Sequence, residues 1–343
     1  MPKGCYIQLE KVVRENILQN IRNAIVNKSS IIQKIINYFN ETDGKVSLNK
    51  FLNYNNLDAR DIYFRGTFLK LCSEANVKTR GYDPKKDRLY SDAFLKLSHI
   101  DSRRWILTLK NLLENDVEII NSAQEKMLLM FFYNFNNAMR RNGNYLDVKA
   151  FINDVKKDES YCEELIQLLD YKFEKIKFVD EQVDLGFENT LDIHCSYSRD
   201  EVLTGLGINT INFRHELREG AYYFKEKDTD VFFINLQKSD KEFSPTTMYE
   251  DYIISNELFH WQSQNKTGDK SPVGVRYLNQ RKNGGRVLLF VRECKSRDNV
   301  AEPYYFLGKA NYESHRGSKP ISIVWRLEKA IPPHILEKLN TVK

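Results

Sequence analysis

The chain has 343 residues, of which 41% are hydrophobic and 29% charged, with a net charge of +5. That length allows two domains with packed cores, and the balance of apolar and charged residues excludes a disordered chain. Its five cysteines, Cys5, Cys72, Cys162, Cys195 and Cys294, are widely spaced with no C-x-x-C, which excludes a disulfide framework and a zinc finger and fits a reducing cytoplasm.

In chain order, Leu9, Val13, Ile17, Ile21 and Ile25 recur at steps of four and predict a first helix. Ile32, Ile35, Ile36 and Phe39 predict a second, with Ser29 or Ser30 as its N-cap. Ser47 is the expected cap of a short helix carrying Leu48, Phe51 and Leu52, and residues 62–71 predict one or two more. Beyond a turn-rich stretch at 81–87, Trp105, Leu109, Leu112 and Leu113 share one helical face, and Met127, Met130, Phe131 and Phe135 share another. Residues 145–155 and 161–169 complete the helical pattern. From about residue 185 the pattern turns to strands, at 229–236, 286–292, 304–307 and 321–327, with short helices near 201–206 and 333–339. Asn283-Gly284-Gly285 predicts a hairpin-type turn.

The expected class is therefore α+β. An all-helical N-terminal half, residues 1–184 with subdomains at 1–85 and 86–184, precedes a β-rich, barrel-like domain at 185–343. No stretch approaches the ~18 apolar residues of a membrane span, and no signal-type apolar run follows Met1-Pro2-Lys3, so no membrane association and a cytoplasmic location are expected.

Enzymatic motifs are missing. There is no G-x-x-x-x-G-K-[ST] loop to cradle phosphates, so ATP hydrolysis of that type is not expected. H-E-x-x-H, H-x-E with C-x-x-C, and G-x-S-x-G do not occur, and the six histidines show no metal-ligand spacing. A phospholipase-D-type nuclease needs His followed two residues on by Lys; His260-Trp261-Gln262 and His215-Glu216-Leu217 both fail. The expectation is no catalytic residue, no metal and no cofactor. A nuclease would need converging carboxylates, for which Asp228, Asp230 and Glu250 are the candidates.

The segment from Phe243 to Gln264 interleaves aromatics with hydrogen-bonding side chains, as a base-reading pocket requires. Tyr249, Tyr252 and Trp261 are candidate stacking residues, and Asp251 and Gln262 are candidates for reading a base edge. The alternative is packing: Tyr249 and Tyr252 on a helix turn, Phe259 and Trp261 on the core face of a strand. From Asn265 onward, 16 Lys/Arg face 7 Asp/Glu. Lys266, Arg276, Arg281, Lys282 and Arg316 are the candidate phosphate contacts, expected on mobile loops, where solvated surface is the alternative.

Four stretches in this order carry a resemblance: residues 243–264, RVLLFVR at 286–292, PYYFLG at 303–308 and ISIVWRL at 321–327. They resemble a C-terminal domain of unknown function found on bacterial fusions of a phospholipase-D-type nuclease with a DEAD/DEAH-box helicase. Residues 2–10 are similar to the segment that follows the second helicase lobe, and 163–169 to a helical linker, so the resemblance covers nearly the whole chain. Some members are similar to type IV restriction enzymes, whose C-terminal module is SRA-like, of the PUA-like barrel type, and flips methylated cytosine. The nuclease and helicase themselves are missing here. What the resemblance implies is a DNA-recognition module of a restriction or phage-defence helicase. Its partners would be duplex DNA with methylated cytosine, and helicase and nuclease domains in cis or trans. The alternative function is a protein-interaction or scaffolding module that does not read bases.

Overall fold

A computed structural model describes residues 26–42, 44, 46–77, 80–115, 121–135, 145–217, 219–237 and 251–339. The helix predicted from Leu9 to Ile25 lies outside them. Two compact units are present. The first comprises the described residues within Met1–Ser98, Ile106–Ile120 and Phe131–Ile176; the second comprises those within His99–Trp105, Asn121–Met130 and Lys177–Lys343.

The first unit is helical. Its first described helix, α1 (Lys28–Glu41), starts at Asn27, whose side chain accepts from Ser30 N. The expected serine caps thus lie inside the helix, because Asn27 already satisfies the donor that a cap must satisfy. In α2 (Leu48–Asn55) Ser47 occupies the N-cap without making the capping bond, and Gln167 Oε1 accepts from Leu48 N instead, at 2.6 Å. Short helices α3 (Ala59–Tyr63) and α4 (Phe68–Glu74) follow, then α5 (Pro84–Leu97), which opens with Asp83 at the cap and Pro84 where no amide is needed. Next come α6 (Arg103–Glu114), whose first three residues are counted with the second unit, α7 (Ser122–Phe132), which belongs to the second unit as far as Met130, and then α8 (Val148–Lys157) and α9 (Glu159–Lys175) of the first unit. The unit's core is aromatic: Tyr90 stacks on Tyr161 at 4.4 Å, and Phe135 meets Phe151 edge-on at 5.1 Å. Within it, the buried carboxylate of Glu164 accepts from Phe68 N and Leu69 N, closing the start of α4. Burial lifts the Glu164 carboxyl to about 7, against the pull of those amides.

The second unit is built on a mixed sheet. Its strands are β1 (Glu181–Gln182), β2 (Asp192–Ile193), β3 (Ser196–Tyr197), β4 (Ala221–Phe224), β5 (Thr229–Asn235), β6 (Tyr252–Ile253), β7 (Leu258–Gln262), β8 (Arg286–Arg292), β9 (Ser296–Arg297), β10 (Val300–Ala301), β11 (Tyr304–Arg316) and β12 (Ser322–Leu327). Its short helices are α10 (Arg199–Gly205), α11 (Pro272–Leu278), α12 (Gln280–Asn283) and α13 (Pro333–Leu339). The main sheet runs β4-β5-β8-β11-β12-β7-β6, with β3 added alongside β11. All its pairings are antiparallel except β5–β8, which is parallel from Thr229↔Arg286 to Asn235↔Arg292. Among the described residues β4 and β6 do not pair, so the expected barrel is an open sheet with two edges.

Two departures from the sequence reading arise here. Strand β11 runs 13 residues, well past the predicted 304–307, because it changes partner along its length. Its first half pairs with β8 and its second with β12, with bulges near Gly308 and Tyr312; a positive φ of 89° places Gly308 where a side chain would be strained. The Asn283-Gly284-Gly285 signal is not a hairpin. Gly284, at φ 69°, is the left-handed cap that ends α12, and the chain then enters β8 alongside a parallel partner.

One face of the sheet holds a continuous core of Phe232, Ile234, Phe259, Trp261, Val287, Leu289, Leu307, Ile323 and Trp325, closed by Tyr277 from α11 and by Ile335 and Leu339 from α13. Parity along the strands puts Phe233, Phe290, His260 and Gln262 on the other face. No helix among the described residues is long and apolar enough to cross a membrane.

Candidate nucleic-acid interface

Strand β7 sorts the aromatic-polar segment by alternation. Phe259 and Trp261 point into the core, and Trp261 is 7% exposed. Its indole stacks on Phe232 at 4.3 Å and 11°, and meets Tyr277 edge-on at 5.4 Å. Both contacts are packing contacts, so Trp261 follows the alternative reading, that of a core strand residue, and is not placed to stack on a base. His260 and Gln262 point the other way. Tyr252, paired with His260 across β6–β7, stacks on the imidazole at 4.5 Å and 15°. Asp251 Oδ1 accepts from Gln262 N at 2.9 Å, which holds the edge strand against β7 at the point where both edge-reading candidates sit. Tyr252, Asp251 and Gln262 are each half-buried. Tyr252 is a strand residue, not part of a helix turn. Tyr249, like Glu250, lies outside the described residues.

The basic candidates divide by their partners. The loops expected between Lys266 and Arg286 instead hold α11 and α12, because Ser271 accepts from Gly274 N and Pro272 starts the helix, a cap signal legible in the sequence. Lys266 pairs with Glu219 at 2.9 Å, and Arg281 reaches Glu313 at 3.6 Å. Arg276 is committed more deeply. Its Nε and Nη2 each donate to Asp230 at 2.8 Å, and its guanidinium lies 3.7 Å from the centre of the Tyr223 ring. Burial raises the Asp230 carboxyl above its usual range, with Arg276 pulling it back. Lys282 and Arg316 are exposed, and no carboxylate lies within ion-pair distance of either among the described residues. Lys282 follows Arg281 on α12, which is fixed to β11 through Gln280 Oε1 accepting from Tyr312 N at 2.9 Å. Arg316 ends that same strand.

A polar pocket of about 240 Å³ opens at the start of the parallel pair, lined by Tyr223, Asp228, Asp230, Arg276, Gln280 and Arg286 among others. That falls below the ~300–1,000 Å³ usual for drug-sized ligands, so it holds room for a small polar group. Asp228, itself at φ 42°, accepts from Tyr223 Oη at 2.8 Å. Asp228 and Asp230 both line this pocket, and Arg276 forms an ion pair with Asp230. No group of three or more metal-ligating side chains occurs among the described residues.

Sequence reasoning missed the Arg276–Asp230 clamp, since partners 46 residues apart carry no local signature. A search of curated proteins gives no match to this chain. Residues 191–339, the span from β2 to the end of α13, match a family model described as a domain of unknown function, DUF3427.

Proposed function

We propose that the second unit is a DNA-recognition module that reads a modified cytosine. What supports this is the division of β7 into two faces: the apolar aromatics are spent on the core, and Tyr252, His260, Asp251 and Gln262 are left together at an edge of the sheet. A ring with polar neighbours at a sheet edge offers a base both a stacking plane and acceptors for an amino group. Lys282 and Arg316, without carboxylate partners among the described residues, are the phosphate contacts that remain of the original set. Tyr249 stays a further stacking candidate. In this reading the protein works with helicase and nuclease domains in cis or trans, in restriction or phage defence, and the module is related to SRA-like readers; the match to DUF3427 is compatible with that relationship.

The test is fluorescence anisotropy with duplexes that differ only in cytosine methylation, at several salt concentrations. The proposal expects tighter binding of the methylated duplex, weakened by Tyr252→Ala. It also expects Lys282→Ala and Arg316→Ala each to flatten the salt slope by about 1. Equal affinity for both duplexes overturns the modified-base reading. Binding of neither favours the scaffolding alternative.

A further inference from the structure

At the opposite end of the parallel pair, two arginines share one aromatic ring. Arg292 closes β8 and is 8% exposed. Its guanidinium lies 4.2 Å from the centre of the Tyr304 ring. Arg199 opens α10 and lies 6.0 Å from the same ring and 5.0 Å from that of Phe233.

Neither has a carboxylate within ion-pair distance among the described residues. Arg292 Nε donates to Asn235 Oδ1 at 2.5 Å and Nη1 to the Glu302 carbonyl at 2.8 Å. Arg199 Nη1 donates to the Leu217 carbonyl at 3.0 Å and Nη2 to Tyr304 Oη at 3.2 Å. The neighbouring carboxylates are engaged elsewhere: Asp200 with Arg214 and Glu293 with Arg297, both at 2.9 Å. Burial, together with the charge of Arg199, lowers the Arg292 guanidinium below its usual range, while the Glu302 carboxylate acts on it in the other direction.

Enclosing a cation without a counter-charge is unfavourable. Ring faces and carbonyls offset part of that for each guanidinium, yet they leave two like charges side by side. Arg292 Nη2 has no partner among the described residues and is not sealed from solvent. The location adds a second reason: the carboxyl ends of parallel strands are where open α/β sheets bind ligands. Asn235 and Arg292 are the register-paired last residues of β5 and β8. Planar guanidinium forks match phosphate oxygens two at a time.

We propose that Arg199 and Arg292 form a phosphate-binding site at the carboxyl ends of β5 and β8, with Tyr304 as the platform that holds both guanidiniums. The site is distinct from the β6–β7 edge and does not rest on the DNA reading.

The test uses the full chain and inorganic phosphate against chloride at matched ionic strength, read as the thermal unfolding midpoint, in parallel with duplex binding by anisotropy. Phosphate is expected to raise the wild-type midpoint saturably. Arg199→Gln, at a half-buried position, is expected to weaken the apparent phosphate affinity at least tenfold, and Arg292→Lys, which keeps the charge but loses the fork, to weaken it as well. A DNA phosphate as the natural occupant shows as a tenfold loss of duplex affinity in Arg199→Gln with a salt slope flatter by about 1. A free phosphate or a mononucleotide shows as phosphate-dependent stabilisation with duplex binding unchanged. The proposal is overturned if phosphate stabilises Arg199→Gln as well as wild type. It is also overturned if phosphate leaves wild type unchanged while the variant binds duplex with wild-type affinity and slope.

Discussion

Removing the guanidinium of Arg276 separates its two possible roles, structural clamp and phosphate contact. In Arg276→Ala, Asp230, which is 4% exposed, loses both of its 2.8 Å donors and stays in the sheet as an unpaired carboxylate. Breaking a buried ion pair from one side costs about 3–5 kcal/mol. The Arg276 side chain retains 24% exposure, so water reaches the vacated position and the low end, about 3 kcal/mol, applies. Loss of the contact with Tyr223 adds on the order of 0.5–1 kcal/mol. For a urea slope of about 2 kcal/mol per M, the midpoint falls by about 2 M. Tryptophan fluorescence is a selective probe, because all three tryptophans, Trp105, Trp261 and Trp325, belong to the second unit. The double variant Asp230→Asn/Arg276→Met removes both charges and is expected to recover to within about 1 kcal/mol of wild type, since an ion pair replaced as a whole is often neutral. The reasoning is refuted if Arg276→Ala loses less than about 1 kcal/mol while its DNA-binding salt slope flattens by about 1. The guanidinium would then be free to meet phosphate.

Other outcomes follow from the same geometry. Trp261→Ala should destabilise the second unit by about 3–5 kcal/mol in urea titration, as loss of a large buried ring does. Tyr252→Ala should change stability by no more than about 1 kcal/mol yet weaken duplex binding by about 1–3 kcal/mol, and the reverse ranking of the two variants would remove Tyr252 as a stacking residue. In the first unit, Glu164 titrates at about 7 when folded and near its ordinary value when unfolded, so between those values the folded state holds more protons. Helical stability followed by circular dichroism should therefore rise as pH falls from about 7 towards 4.5, and Glu164→Gln should flatten that dependence; an unchanged slope sinks the assignment. His194 behaves in the opposite sense. Burial, with the nearby charge of His334, pushes it down to about 4, so the unfolded chain binds the extra proton and stability is lost as pH falls through about 6.5 towards 4. His194→Asn, which suits the local φ of 68°, should reduce the loss seen by tryptophan fluorescence at pH 5.

Much of the secondary structure was legible because it depends on short-range pattern. Apolar recurrence marked α1, α6 and α9, and apolar runs rich in β-branched and aromatic residues marked β5, β8 and β12. The alternation of Phe259 and Trp261 with His260 and Gln262 was also present in the sequence. The sequence alone could not say which of the two sets was core, because period-2 alternation defines two faces without naming the buried one. That was decided by Phe232 and Tyr277, 29 and 16 residues from Trp261 along the chain, which cover its ring.

Partnership is where local pattern stops. By charge and spacing, Lys266, Arg276, Arg281, Lys282 and Arg316 are equivalent cations, and only folding brings carboxylates to the first three. The same holds for β5 and β8. Their residues predict strands, but the parallel register from Thr229↔Arg286 to Asn235↔Arg292 joins segments 57 positions apart. It is that register which sets a carboxylate-lined pocket at one end of the pair and two uncompensated arginines at the other. Sequence by itself determined where the longer helices and the central strands β5, β8 and β12 lie, through periodicity and side-chain shape, but not the short helices α11 and α12 or the full length of β11. The tertiary structure alone decided which charges are neutralised and which rings are covered, because both depend on neighbours far apart in the chain.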